Sequence, residues 1–212
     1  TYGGSYIDDT KIFSHLVCTK MKNYTCGNAG VNAYSVINMV MRFKYDERIV
    51  NPEIIIILVA PGDFYREYAD SQTAHFYLNN SKFIFSAITE AVSFIATKYY
   101  INKYISKKND TSNNQHQDKL ISYSINLLKE EIERLKKNSD VYLYYTIEKN
   151  DKKSLSKINS KIKKELIKSF GEQLITLENI LNDDSYFYDS VHYNEKGHYT
   201  VANEIYRNLS IN

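Results

Sequence analysis

An aspartate and a histidine three residues apart, Asp189 and His192, lie in Tyr188-Asp189-Ser190-Val191-His192-Tyr193-Asn194, close to the end of a 212-residue chain. In a turn, this spacing lets a carboxylate hold an imidazole by one ring nitrogen while the other takes a proton from a nucleophile. The plainer role is a polar turn before the last helix, with Asn194 as N-cap and Tyr199, Ala202, Ile205 and Leu209 on one face. At the opposite end of the chain, Gly3-Gly4-Ser5 sets a serine in a turn with nothing bulky beside it. Such a turn at a strand end exposes a hydroxyl and points backbone N–H groups at whatever it attacks. Ser5, His192 and Asp189 are the residue types of nucleophile, general base and orienting carboxylate in acyl transfer.

Two further blocks lie between these ends in the same order as in a known family. Asn28-Ala29-Gly30-Val31 matches an Asn-x-Gly block, and Ile54 to Val59 leads through Ala60-Pro61 into Gly62-Asp63, which matches a Gly-x-Asn-Asp block. With Gly3-Gly4-Ser5 and Asp189-x-x-His192, the chain resembles the SGNH, or GDSL, hydrolases from Gly3 to about Leu209. The resemblance implies one domain over residues 1–212, a three-layer α/β/α sandwich around a central parallel sheet, flavodoxin-like in type. It implies Ser5 as nucleophile, His192 as base and Asp189 as orienter. The backbone N–H groups of Ser5 and Gly30 become oxyanion donors. The chain departs from the pattern at Ala60, where the family has Gly, and at Gly62, where it has Asn. Losing an asparagine donor costs about 3 kcal/mol of transition-state stabilisation. Either another group fills in, such as the backbone around Gly62 or the nearby Asn32, or the enzyme is slow; Gly62, directly after Pro61, is a natural site for positive φ.

The bulk composition is that of one ordinary globular domain: 43% apolar, 25% charged and a net charge of +2. Nothing steers the whole molecule to nucleic acid. Cys18 and Cys26 are the only cysteines. Their spacing permits a disulfide if the protein is exported, but two buried thiols are the expected state.

The elements that must position the site follow in order. A strand should precede Gly3, yet only Thr1 and Tyr2 stand before it, so the first strand is read as truncated. A helix is expected over Lys11 to Met21, a short strand over Tyr24 to Cys26, and a helix from about Ala33 to Tyr45. Ile54 to Val59 is an unbroken apolar run, as in a parallel strand buried on both faces. Loops after the carboxyl ends of strands build sites in such sheets. Asp63, Phe64 and Tyr65 are therefore candidate substrate contacts alongside Asn32, with an aromatic ring available to a sugar, and Asp63 has a structural role besides.

Residues 78–117 are read as a helical insertion followed by a mobile loop. Its apolar part, Phe83 to about Ile105, is long enough to span a bilayer but carries Glu90 at its middle, so membrane contact is not expected. Lys107 to Gln117 is polar and aperiodic. Amphipathic helices follow at Asp118 to Lys137 and Leu155 to Phe170, with strands at Val141 to Ile147 and Leu174 to Leu177. The lysines of the second helix are read as a solvated face.

The expected function is a serine esterase that removes acyl, foremost acetyl, groups from a carbohydrate or other small ester, with no cofactor and no metal. Surface-glycan O-acyltransferase and lipid esterase are alternatives within the same resemblance. Two other readings compete: a metal-dependent hydrolase using Asp8, Asp9, Asp63, Asp189, His192 and His198, and a binding domain derived from a hydrolase.

Overall fold

The computed structural model describes residues 7–30, 34–46, 49, 51–65, 113–149 and 153–210. They form a mixed α/β structure with a small open sheet of three parallel strands and several helices. The elements are α1 (Phe13–Lys20), α2 (Val36–Tyr45), β1 (Ile54–Val59), α3 (Gly62–Tyr65), α4 (Asn113–Leu135), β2 (Asp140–Tyr145), α5 (Lys153–Phe170), β3 (Leu174–Thr176) and α6 (Glu195–Ser210). The strand expected before Gly3 and the helix expected from Phe83 lie outside the described residues. Among the described residues, no helix is long and apolar enough to cross a membrane.

The chain divides into two compact units. Among the described residues, the first takes 7–30, 53–61 and those from 139 onward, and so contains the whole sheet. The strand order is β1-β2-β3, with Ile54 opposite Asp140, Val59 opposite Tyr145, and Leu143 opposite Leu174. Parallel neighbours need a crossover, and α5 supplies it between β2 and β3. The run Ile54–Val59 forms the expected strand, but its burial alternates. Ile55, Ile57 and Val59 are buried, whereas Ile54, Ile56 and Leu58 are half-buried. The expectation of burial on both faces is corrected to one full and one partial face: Ile56 and Leu58 pack on a core cluster yet stay partly buried.

Ile56, Leu58, Tyr142 and Ile175 pack on a cluster made by Phe13, Val17, Tyr144, Leu177, Leu181, Phe187, Tyr193, Val201, Ala202 and Ile205. Each large apolar side chain so removed from water is worth about 1.5–3 kcal/mol. This cluster clamps α1 and α6 together. It is also the floor beneath the segment that carries Asp189 and His192.

The second unit contains α2, α3 and α4. Helix α4 buries Ile121, Ile125, Leu128 and Ile132 along one face, as an amphipathic helix does. Glu131 lies in the same stripe, and its carboxylate accepts from Arg134 Nε at 3.0 Å and Nη2 at 2.5 Å. The helix begins at Asn113, so residues 113–117 are helical rather than part of the expected loop. An amphipathic stripe docked in a core extends helix into flanking polar residues that would not nucleate one alone.

Two other expectations are corrected in the first unit. Residues 24–30 form no strand and are exposed. Cys18 and Cys26 are joined in a disulfide, with Cα atoms 5.9 Å apart, rather than being two buried thiols. Cys26 is exposed, so burial does not shelter it as a thiol; the bond ties the 21–30 segment to α1. Closing a loop this short contributes about 2.5 kcal/mol on the chain-entropy account.

Candidate functional site

Phe187 and Tyr193 pair as an isolated antiparallel bridge, flanked by the bonds Tyr188 N–H to His192 O (2.7 Å) and Asn194 N–H to Tyr186 O (3.0 Å). The bridge residues turn inward, both buried, with ring centroids 5.4 Å apart. Between them Asp189 closes the turn. Its Oδ1 accepts the N–H groups of Val191 (2.9 Å) and His192 (2.8 Å), which is what an aspartate two and three residues upstream is shaped to do. Its Oδ2 lies 2.7 Å from His192 Nδ1. An ionised carboxylate only accepts, so Nδ1 carries the proton and Nε2 is the basic nitrogen of the neutral ring. Both side chains are 40% exposed.

Burial acts most strongly on Asp189 and pushes its pKa up. The Val191 N–H, the His192 ring, the His192 N–H and the positive charge of that ring together outweigh it, and the carboxyl ends below its usual range. Asp189 is therefore ionised wherever a histidine can act as a base.

The turn is anchored at the carboxyl end of the sheet, where α/β sheets build their sites. Thr146, directly after β2, hydrogen-bonds the Tyr193 hydroxyl through its own, and its N–H donates to Val59 O at 2.9 Å. Lys149 N–H donates to Ser190 O at 2.7 Å. On the other side Asn194 caps α6: its Oδ1 accepts from Gly197 N–H at 3.0 Å, as read from the sequence.

Helix α6 faces the core with Gly197, His198, Val201, Ala202 and Ile205. Tyr199, expected on that face, is 56% exposed, and His198 takes the inward place at 4% exposure. His198 Nδ1 accepts the N–H of Phe13, the first residue of α1 and one of the donors a helix start leaves unpaired. The ring stacks on Phe13 at 6.0 Å and meets Tyr193 edge-on at 5.4 Å. Burial, together with nearby positive charge including His192, pushes its pKa down to about 4, so it stays neutral and keeps the Phe13 N–H as donor. Thus one buried histidine fastens α1 to the helix that follows the dyad. Sequence reading weighed His198 only as a metal ligand. Its i+3, i+4 and i+7 spacing to Val201, Ala202 and Ile205 was the available signal for a core residue.

Gly197 was also missed. A Cβ there would overlap the Tyr186 carbonyl oxygen and stand 3.0 Å from Tyr193 Cβ, so close approach of the turn to α6 requires glycine.

Of the predicted site residues, the structure brings Asp189 and His192 together. Ser5 and Asn32 lie outside the described residues. Gly30 is exposed, and its N–H donates to Asn28 Oδ1 at 3.0 Å, a bond it would have to exchange to serve an oxyanion. Gly62, Asp63, Phe64 and Tyr65 belong to the second unit and form α3. Gly62 opens that helix and does not take the positive φ expected after Pro61; the glycine at positive φ among the described residues is Gly171. Phe64 is fully buried, a core side chain rather than a platform for a sugar, and Tyr65 is half-buried.

Among the described residues, no group of three His, Cys, Asp or Glu side chains converges to hold a metal ion. His198 uses Nδ1 on Phe13, and Asp8 uses Oδ1 on the N–H (2.8 Å) and hydroxyl (2.6 Å) of Thr10. Compared with protein-family models, with curated proteins and with solved structures, the chain matches none.

Proposed function

We propose that the chain is a serine esterase of SGNH type, built on a three-layer α/β/α sandwich, that removes acetyl or other short acyl groups from a carbohydrate or small ester. The observation that carries this reading is the contact of His192 Nδ1 with Asp189 Oδ2 at 2.7 Å, on a turn anchored at the carboxyl end of a parallel sheet. A carboxylate bound to two backbone N–H groups and one ring nitrogen holds an imidazole in one tautomer and one orientation, as a general base requires.

In this account Ser5 Oγ attacks the acyl carbon and gives its proton to His192 Nε2. Asp189 stabilises the imidazolium that results. The tetrahedral oxyanion draws on backbone N–H groups, with Ser5 and Gly30 the donors implied by the resemblance. Collapse expels the alcohol, which takes the proton from His192, and leaves the acyl group on Ser5. Water, activated by the same histidine, then releases the acid and restores the hydroxyl. A sugar hydroxyl in place of that water makes the same chain an O-acyltransferase. Ser5 stands six residues before Lys11, whose ammonium meets Glu195 Oε1 at 2.7 Å at the start of α6. The Cys18–Cys26 disulfide suits an oxidising compartment, where surface and extracellular glycan esters are found.

A second reading, a non-catalytic binding domain on the same scaffold, is favoured by one pair of facts. Gly30 N–H is engaged by Asn28, and Gly62 lacks the side-chain donor of the family. A rate assay separates the two. The esterase hydrolyses 4-nitrophenyl acetate above the buffer rate, and a chelator leaves that rate unchanged. No hydrolysis by the folded protein supports the binding domain, and loss with chelator supports a metal hydrolase.

A further inference from the structure

We propose that Thr146 is a positioning residue for His192: its hydroxyl, held at the end of β2, sets how deep the dyad turn sits and so where His192 presents Nε2. The proton transfer it serves rests on the esterase reading, whereas the placement of the turn rests on contacts that hold without it. Thr146 follows β2 directly and is itself fixed, because its N–H donates to Val59 O, at the end of β1, at 2.9 Å. Its buried hydroxyl meets that of Tyr193, the residue after His192. Three residues on, Lys149 N–H donates to Ser190 O at 2.7 Å, and Ser190 follows Asp189. Residues 146–149 therefore grip the turn on both sides of Val191 and His192, once by a side chain and once by backbone.

Packing alone does not fix that depth. The Tyr193 ring lies 5.4 Å from the Phe187 ring, tilted by 51°, and meets His198 edge-on at 5.4 Å. Apolar contact is non-directional and changes little when a ring slides in its own plane. A hydroxyl pair holds its oxygens about 2.5–3.0 Å apart and so stops the slide. Tyr193 adjoins His192 in an isolated bridge, so any movement of its backbone carries the imidazole along. The bond from His192 to Asp189 is local to the turn and travels with it, and so does not correct the displacement. A misplacement of about 1 Å costs a reaction roughly a hundredfold.

The test compares the whole parent chain with Thr146→Val, which exchanges the hydroxyl for a methyl group, and Thr146→Ser, which keeps the hydroxyl. Hydrolysis of 4-nitrophenyl acetate is followed across pH, and amide hydrogen exchange is measured at Lys149 and along α1 and α6. Thr146→Val lowers kcat roughly thirtyfold at unchanged KM, as a displaced base does. The pH at which kcat falls on the acid side stays that of the parent, because Asp189 still holds the ring. The Lys149 N–H exchanges about tenfold faster, while α1 and α6 exchange as in the parent. Thr146→Ser returns both kcat and exchange to within about threefold of the parent. A Thr146→Val enzyme as fast as the parent overturns the proposal. So does a loss that Thr146→Ser shares, or one accompanied by faster exchange throughout α1 and α6, because that loss belongs to the core. If the parent hydrolyses no ester, the esterase reading falls by itself. Faster Lys149 exchange confined to Thr146→Val then keeps Thr146 as the residue that places the turn, and unchanged exchange removes that role too.

Discussion

His192→Ala is expected to lower turnover of 4-nitrophenyl acetate by roughly six orders of magnitude, the loss seen when a nucleophile's general base is deleted from a working triad. In the proposed mechanism the imidazole is the acceptor for the Ser5 proton, and a serine hydroxyl without such a base is a weak nucleophile at neutral pH. The fold should survive, because the contacts that build the turn are made by other atoms. The backbone N–H of residue 192 donates to Asp189 Oδ1, its carbonyl accepts from Tyr188 N–H, and the side chain is 40% exposed. A melting temperature close to that of the parent, with activity gone, is the expected pairing. A drop of only tenfold would assign His192 to the turn and not to the chemistry.

Asp189→Asn is expected to cost about four orders of magnitude, again with the fold retained. An asparagine keeps an oxygen for the Val191 and His192 N–H groups, so the turn can still close. Its amide, however, presents N–H donors to His192 Nδ1 where the carboxylate presented an acceptor. The ring then carries its proton on Nε2, the nitrogen that must be basic. The substitution also alters the acid limb of stability. The Asp189 carboxyl is held below its ordinary value of 3.8, through hydrogen bonds that outweigh burial. A carboxyl lowered in this way adds stability that is present above the unfolded value and lost as pH falls through the folded one. In Asp189→Asn that contribution is absent at every pH, so stability should decline less steeply on acidification below about pH 4. Melting curves at neutral and acid pH, with kcat measured on the same samples, check both parts.

The parts of the fold that were legible are those where one residue pattern admits one structure. Six consecutive β-branched or aliphatic residues, Ile54–Val59, make a buried strand almost regardless of context, and the α4 stripe of Ile121, Ile125, Leu128 and Ile132 fixes a helix by its period. Asn194 before Glu195-Lys196-Gly197 announced the start of α6, and the Asp-x-x-His turn was readable because its hydrogen bonds are local in sequence.

What was not legible depends on contacts distant in sequence. The helical spacing of His198 marked a core position, but its role there, accepting the N–H of Phe13 from 185 residues away, had no local signal. Gly197 is needed because the Tyr186 carbonyl passes where a Cβ would be, which no turn rule encodes. The phase of α6 was misread by taking Tyr199 as apolar, when its ring lies outside and meets Lys20 at 5.5 Å. The cysteine pair was ambiguous because spacing permits a bond without requiring one, and Gly62 was misjudged because proline precedes helices as readily as turns. The expectations for Ser5 and Asn32 fall on residues outside those described.

The central claim is that Ser5 is the nucleophile served by His192, and chemical labelling tests it most directly. The folded protein is incubated with a fluorophosphonate, digested, and its peptides mapped by mass spectrometry. The account predicts one adduct, on Ser5, formed rapidly in the parent, lost in Ser5→Ala and strongly slowed in His192→Ala. An adduct on a different serine, or ester hydrolysis that persists unlabelled in Ser5→Ala, would contradict it.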